Sequence, residues 1–141
     1  MTSSKEIFDP IHGFISVSSL LQLFIDTPEF QRLRDLKQLG ATYFVYPSAT
    51  HTRFEHSIGV SHLAGQLLEN LKKTHPQLGI TKNQIELVQL AGLLHDIGHG
   101  PFSHLYDDYI IDSTDEDHEI RGINIFKNII KTNPLINNRL N

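Results

Sequence analysis

The chain has 141 residues, of which 39% are hydrophobic and 20% are charged, and its net charge is −4. This length suits one domain with a real core, residues 1–141, and the composition is that of an ordinary globular protein. The positive residues are scattered, so a nucleic-acid partner is not expected. There are no cysteines, which excludes disulfides and thiolate metal sites.

Neither a secretory leader nor a membrane partner is predicted. The N-terminal residues MTSSKEIFDPIHG lack an apolar run, and no stretch approaches the roughly 18 consecutive apolar residues of a membrane helix. We therefore expect a soluble intracellular protein, and the sequence does not distinguish cytoplasm from nucleus.

The first predicted element is a small hairpin or irregular cap over residues 5–17, where Pro and Gly turn signals separate short β-leaning pieces. An apolar stretch over residues 20–25 follows. Thr27 has the chemistry of an N-cap for a helix from Pro28 that Gly40 would close. Residues 42–47 are aromatic and β-branched, and we predict that they are extended.

A long helix is predicted over residues 53–73, ending before Pro76. One face repeats at helical spacing and is expected to point inward. It consists of His56, Val60, Leu63, Ala64 and Leu67.

The next helix begins at Thr81, where Gln84 completes a capping box. It is apolar nearly all round, which predicts a central buried helix. His95 continues its inward face, and Asp96 follows at its end. The other members of that face are Val88, Ala91 and Gly92.

The rest of the chain is predicted as a short helix, a loop, a helix and a tail. The short helix runs from Pro101 to Tyr109, and residues 110–117 form an acidic loop. An amphipathic helix covers residues 116–131, and an Asn-rich tail ends the chain. The predicted fold class is therefore mostly α, with a small N-terminal hairpin or cap.

A metal site is predicted where the two central helices pack together. Five of the nine histidines lie in the blocks HTRFEH and HDIGHGPFSH. A single inward histidine is usually a hydrogen-bonded core residue, but three buried polar side chains need a common partner, which a metal supplies. His56, His95 and Asp96 suit Mn, Fe, Zn or Mg. An iron oxygenase would use the same ligand types, but those sites normally lie in β-barrels.

The motifs KEIFDPIHGFI, DTPEFQRLRDLKQLG, HTRFEHSIGV and LAGLLHDIGHGPFSHLYDD resemble the HD-domain dNTP triphosphohydrolases over about residues 5–131. The resemblance is strongest to the vertebrate branch that joins a sterile-alpha-motif to the HD domain. It implies a compact HD-domain helical bundle that hydrolyses a dNTP to deoxynucleoside and inorganic triphosphate, by attack at the α-phosphorus. An HD nucleoside-monophosphate phosphatase is the nearer enzyme alternative, and the blocks GPFSH and DPIHG favour the triphosphohydrolases.

The resemblance also implies roles for single residues. His56, His95 and Asp96 match the family's divalent-metal ligands. Arg53 matches a phosphate-holding arginine, and Gln38 matches a contact to the substrate sugar.

Four further residues match the family's catalytic machinery. His99 and His104 match histidines that face the phosphates, with His104 as the acid for the leaving 5′-oxygen. Asp107 matches the carboxylate that orients this histidine, and the i, i+3 spacing on one helix agrees with that pairing. His118 matches a phosphate-contacting histidine.

A regulatory GTP site is a further implication of the resemblance. Lys5, Asp26, Gln31 and Arg34 match positions that bind a guanine nucleotide in the family, although Phe8 replaces a polar residue there. The alternative interpretation is an exposed, charged helix start.

The chain departs from the family at the fourth metal ligand, a downstream aspartate that has no counterpart after Asp117. Water, Asp112, Asp115 or Asp117 could substitute, or a completing chain or homo-oligomer could supply the ligand. The third explanation is a catalytically inactive HD module that binds metal, nucleotide or a partner chain. The function hypotheses are therefore a dNTP triphosphohydrolase and such a module, and turnover distinguishes them.

Overall fold

The computed structural model of the chain describes residues 5–102, 106, 109 and 117–140. These residues are mostly helical, with a two-stranded antiparallel sheet at the N-terminus, which confirms the predicted fold class. None of the helices in this part of the chain is long and apolar enough to cross a membrane.

The predicted N-terminal hairpin is present. Strand β1 (Lys5–Asp9) pairs antiparallel with β2 (Gly13–Val17). Asp9 Oδ1 accepts hydrogen bonds of 2.8 Å from two backbone N–H groups of the turn, which is how an Asp side chain stabilises a tight turn. Ile15 and Val17 on β2 are buried, so one face of the hairpin belongs to the core.

Two short helices follow the hairpin. Helix α1 (Ser19–Ile25) is capped by the Ser18 hydroxyl, and α2 (Pro28–Gln31) is capped by Thr27, as predicted for α2. The predicted helix to residue 40 is wrong, however, because α2 has a single turn and continues as a 3₁₀ helix over Arg32–Asp35.

Backbone pairing explains why the helix ends early. Lys37 pairs with Thr52 in an isolated antiparallel bridge, and the Gln38 N–H donates to the carbonyl of residue 51 at 3.1 Å. These bonds tie the residues after the 3₁₀ helix to the residues just before the next long helix, so the chain leaves the helical path there. Gly40–Phe44 is a 3₁₀ helix, so the prediction of an extended segment at 42–47 is wrong; its β-forming composition has no partner strand in the described part of the chain.

The two central helices form a hairpin. Helix α3 (Arg53–Thr74) and helix α4 (Lys82–Leu94) both begin with capping boxes. In each box a threonine side chain accepts from a backbone N–H three residues later, and the side chain of that later residue accepts from the backbone N–H of the threonine. The predicted limits of both helices are confirmed to within about two residues, the ordinary uncertainty of helix ends.

The predicted inward face of α3 is wrong. Leu63 and Leu67 are 51% and 59% exposed. Small residues at helical spacing allow α4 to approach closely, and the Ser61 hydroxyl donates to the Gln89 carbonyl on α4 at 2.8 Å. Close backbone contact, rather than aliphatic bulk, therefore selects the buried face. Its residues are Arg53, Phe54, Ser57, Ile58, Ser61 and Gly65.

Helix α4 is also less buried than predicted. Leu87 and Val88 are 53% and 42% exposed, so the Val88 face that leads to His95 is open rather than central. Its buried residues are Ile85, Leu90 and Leu93. Beside it lies an apolar groove of about 490 Å³, lined mainly by Leu87, Leu90, Ala91, Leu94, Ile123 and Phe126.

The last described segments are α5 (His118–Thr132) and α6 (Pro134–Leu140). The first confirms the predicted amphipathic helix to within two residues, and the second is a helix in the Asn-rich tail. The predicted short helix from Pro101 and the acidic loop fall largely outside the described residues. The largest fully buried side chains of the core are Phe24, Phe30, Leu33, Leu93, Ile97, Ile129 and Ile136.

Candidate metal centre

The α3–α4 hairpin brings the three predicted ligands together. His56 lies in the first turn of α3, and His95 and Asp96 follow the last residue of α4. The two histidine Nε2 atoms are 3.2 Å apart. The Asp96 carboxylate oxygens lie 3.6 Å from His56 Nε2 and 3.2 Å from His95 Nε2. These residues are the one group of three or more His and carboxylate side chains suited to an ion among the described residues.

The distances between these side chains and the lowered pKa of His56 fit a divalent ion. Separations of 3.2–3.6 Å match ligands that share one ion at about 2.0–2.2 Å. His95 Nδ1 lies 2.7 Å from the Gly92 carbonyl, which selects the tautomer with its proton on Nδ1 and directs Nε2 toward His56 and Asp96. Burial lowers the pKa of His56, and His95, Arg53 and His51 add to this effect against the opposing charge of Asp96. The His56 imidazole is thus suited to be a neutral donor, and His95 Nε2 points to the same place.

Asp96 is held in its ionised form. Burial alone would raise the pKa of its carboxyl, but the hydrogen bond from His99, the charge of His95 and the charge and hydrogen bond of Arg53 outweigh burial and hold the pKa well below its usual range. Arg53 Nη1 donates to Asp96 Oδ2, and the two side chains are 4% and 9% exposed. Arg53, predicted to hold phosphate, is therefore paired with a predicted metal ligand.

Two of the predicted catalytic histidines lie beside this group. His99 is 3% exposed, and its Nε2 lies 3.5 Å from Asp96 Oδ1. The His118 ring stacks on the His99 ring, with centroids 4.0 Å apart and planes at 16°. This stacking needs close backbone contact, because a Cβ at Gly98 would lie 1.9 Å from the His118 carbonyl oxygen.

Two arginines that the sequence analysis did not single out hold the segment after Asp96. Arg32 donates to the carbonyls of Ile97 and His99 at 2.7 and 2.8 Å, and Arg121 Nε donates to Gly98 at 3.2 Å. Nothing in the local sequence distinguishes Arg32 from its neighbour Arg34. The distinction depends on contacts with a segment more than 60 residues away.

The remaining predicted residues of this site are placed differently. Gln38 lies in the turn before the 3₁₀ helix Gly40–Phe44, and its buried Oε1 has no hydrogen-bond partner among the described residues. Asp117, a proposed substitute ligand, caps α5 through a 2.7 Å bond from the Glu119 N–H and is not in the metal group. His104 and Asp107 lie outside the described residues, as do the other proposed substitutes, Asp112 and Asp115.

The four predicted regulatory residues line one cavity of about 290 Å³ between the hairpin, α2 and α3. Lys5, Asp26, Gln31 and Arg34 all contribute to its wall, and so does Phe8.

The predicted regulatory arginine is already engaged within this wall. Arg34 Nε donates to Gln31 Oε1 at 2.8 Å, and its guanidinium lies 3.5 Å from the centre of the Phe54 ring. The structure therefore brings these residues together, at a place separate from the metal group.

Known proteins match the part of the chain that contains the candidate metal centre. The sequence pattern of the HD domain family matches residues 53–138. Deoxynucleoside triphosphate triphosphohydrolase SAMHD1 of Danio rerio is 51% identical over 139 residues, which cover 95% of this chain and 22% of that protein. The homolog of the same enzyme in Dictyostelium discoideum is 56% identical over 108 residues, 77% of this chain and 21% of that protein.

A viral relative extends the comparison. A putative HD domain-containing protein of Acanthamoeba polyphaga mimivirus is 44% identical over 146 residues, 93% of this chain and 32% of that protein. The chain thus spans between about a fifth and a third of the length of these relatives. The matched segment contains the whole three-residue metal group, and it covers more than half of the sequence. The chain therefore belongs to the HD domain family.

Proposed function

We propose that the chain is a metal-dependent phosphohydrolase module that converts a dNTP to deoxynucleoside and inorganic triphosphate. The observation that carries this proposal is the group of His56, His95 and Asp96, which converges within 4.8 Å beside the stacked His99 and His118 rings. The relatives named as dNTP triphosphohydrolases match this chain at 51% and 56% identity, which supports the choice of substrate.

In this proposal His56, His95 and Asp96 hold the divalent ion, which is Mn, Fe, Zn or Mg. When bound, such an ion polarises a phosphoryl oxygen and lowers the pKa of a water molecule. The Gly92 carbonyl holds the His95 tautomer that leaves Nε2 unprotonated. Arg53 keeps Asp96 ionised and oriented from the buried side.

The other residues bind the substrate or move protons. His99 and His118 present stacked imidazoles beside Asp96, where they would face the phosphates. Water would attack the α-phosphorus, the bond from this phosphorus to the 5′-oxygen would break, and the oxygen of the water would remain on the triphosphate. His104, oriented by Asp107, would donate a proton to the leaving 5′-oxygen. Gln38, whose buried Oε1 has no partner among the described residues, would accept from the sugar hydroxyl.

A second candidate function is a catalytically inactive HD module that binds metal, nucleotide or a partner chain. The observation that favours it is the position of Asp117, which caps α5 and leaves the metal group with three protein ligands among the described residues. A separate explanation is that a completing chain or a second copy supplies the fourth ligand and completes the site.

We also propose that GTP binds at the cavity formed by Lys5, Asp26, Gln31 and Arg34 and regulates turnover. The proposal is supported by the fact that these four side chains line the same cavity. The Phe8 ring occupies part of that wall and argues for weaker binding than a polar residue would give.

The test is a turnover assay with Mn²⁺ or Mg²⁺ and the four dNTPs, with and without GTP. Chromatography separates deoxynucleoside and inorganic triphosphate from other products. His95→Ala should abolish turnover, whereas His75→Ala, at the exposed C-terminal end of α3, should not change it. Metal binding without products would refute the hydrolase and favour the inactive module.

A further inference from the structure

Three consecutive peptide carbonyls follow Asp96 in a buried segment that has left helix α4. Residues 96–100 are all buried. Pro101 has no N–H to offer the Ile97 carbonyl, and Phe102 has a left-handed φ of 63°, so helical i+4 bonds cannot continue there. Buried carbonyls in this position need donors from elsewhere in the protein.

Two arginines from different parts of the chain provide these donors. Arg32 reaches across from the 3₁₀ helix after α2 and binds the carbonyls of Ile97 and His99 with its two terminal nitrogens. Arg121 comes from α5 and binds the Gly98 carbonyl between them. A guanidinium suits this task because its N–H groups form a planar fork.

The two guanidinium groups carry like charges at this location. Burial lowers the pKa of Arg32, and the charge of Arg121 lowers it further, so the arrangement has an electrostatic cost. No carboxylate within the described part of the chain forms an ion pair with Arg32. Its hydrogen bonds go to the segment that connects Asp96 and His99, which suggests a specific task there.

We infer that Arg32 and Arg121 form a clamp on the carbonyls of residues 97–99 that positions Asp96 and His99 against His56 on α3. They are positioning residues, since they hold peptide groups and do not belong to the metal group. This inference rests on the metal-binding part of the proposed function. It extends that function by placing part of the control of metal affinity in α5 and in the 3₁₀ helix after α2.

The charge of Arg32 allows a test, because a charge effect and a positioning effect predict opposite changes in metal affinity when Arg32 is replaced. Two cations near a metal site repel the ion, so removing one would strengthen metal binding if charge alone mattered. If Arg32 positions the ligands, removing it weakens binding, because supporting groups around a metal typically contribute about 10- to 100-fold in affinity.

The experiment measures Mn²⁺ affinity by electron paramagnetic resonance for the full chain and its Arg32→Lys and Arg32→Gln variants. Arg32→Lys keeps the charge but cannot span two carbonyls, and we expect about tenfold weaker binding; for Arg32→Gln we expect tenfold or more. The absorption spectrum of the Co²⁺-loaded protein should change in both, because it reports ligand geometry. Arg139→Gln, at an exposed arginine of α6, is the matched control and should match the wild type.

Thermal unfolding in EDTA checks that each variant folds, and Arg121→Lys provides a second positioning variant if Arg32→Gln does not fold. Folded Arg32 variants with wild-type affinity and an unchanged Co²⁺ spectrum would overturn the inference. So would tighter binding by Arg32→Gln, or a wild-type chain that binds no Mn²⁺. Turnover is not measured here, so an inactive wild type with the expected affinity losses would refute the proposed hydrolase alone.

Discussion

Neutralising Asp96 should destabilise the metal-free protein, because Asp96 balances a cation that the fold has removed from water. The Arg53 and Asp96 side chains are only 4% and 9% exposed. Breaking a buried pair by removing one charge costs about 3–5 kcal/mol. Asparagine retains an oxygen that can accept from Arg53, so we expect the lower limit for Asp96→Asn, about 3 kcal/mol. With a urea m-value of about 2 kcal/mol/M, the unfolding midpoint falls by about 1.5 M.

The assay is urea unfolding in EDTA at neutral pH, followed by circular dichroism. Asp35→Asn, at an exposed aspartate on the 3₁₀ helix after α2, is the control and should stay within about 0.5 kcal/mol of wild type. Adding Arg53→Met to Asp96→Asn removes the buried cation that Asp96 balanced and should restore part of the lost stability. A loss below about 1 kcal/mol for Asp96→Asn, or no recovery in the double variant, would refute the argument.

Three further predictions concern the same region. Gly98→Ala would place a Cβ 1.9 and 2.5 Å from backbone atoms of α5 and should lower the free energy of unfolding by about 2–3 kcal/mol, measured by thermal unfolding. Gly59→Ala, with ordinary contact distances of 3.6 Å or more, is the control. Equal stability of the two variants would contradict this prediction. Because the pKa of His56 is lower folded than unfolded, the unfolded chain binds more protons below about pH 6.5. The contribution of His56 to the stability of the metal-free protein should therefore be fully present above that pH and be lost below it. The free energy of unfolding should fall less steeply with decreasing pH in His56→Gln than in the wild type, and identical slopes would count against this. Mn²⁺ should raise the melting temperature of the wild type and of His75→Gln but not of His95→Gln, and an equal rise in all three would exclude these ligands.

Local chemistry was sufficient to predict several helix starts and the residues that converge in the candidate metal centre. Capping residues such as Thr81 act through bonds within a few residues, and these are visible in sequence. The convergence of His56, His95 and Asp96 was predictable because two helices joined by a short connection must pack side by side. The site was therefore recognisable even though the predicted inward face of α3 was wrong.

Three of the failures depend on long-range contacts. Leu63 was predicted to be buried because aliphatic residues usually are, yet small residues on another face allow α4 to approach α3 closely. The helix from Pro28 ends early because Lys37 pairs with Thr52. Arg32 was overlooked because its partners are carbonyls, which every residue has and which no sequence pattern marks.

The α3–α4 hairpin also bears on how the protein folds. Since His56, His95 and Asp96 all lie on this one hairpin, an ion bound to them would be a reversible crosslink between two helices that are neighbours in sequence. If the helices already face each other in the folding transition state, the ion accelerates folding; if they meet later, it slows unfolding alone. Folding and unfolding rates measured over a range of Mn²⁺ concentrations would thus report when the hairpin forms.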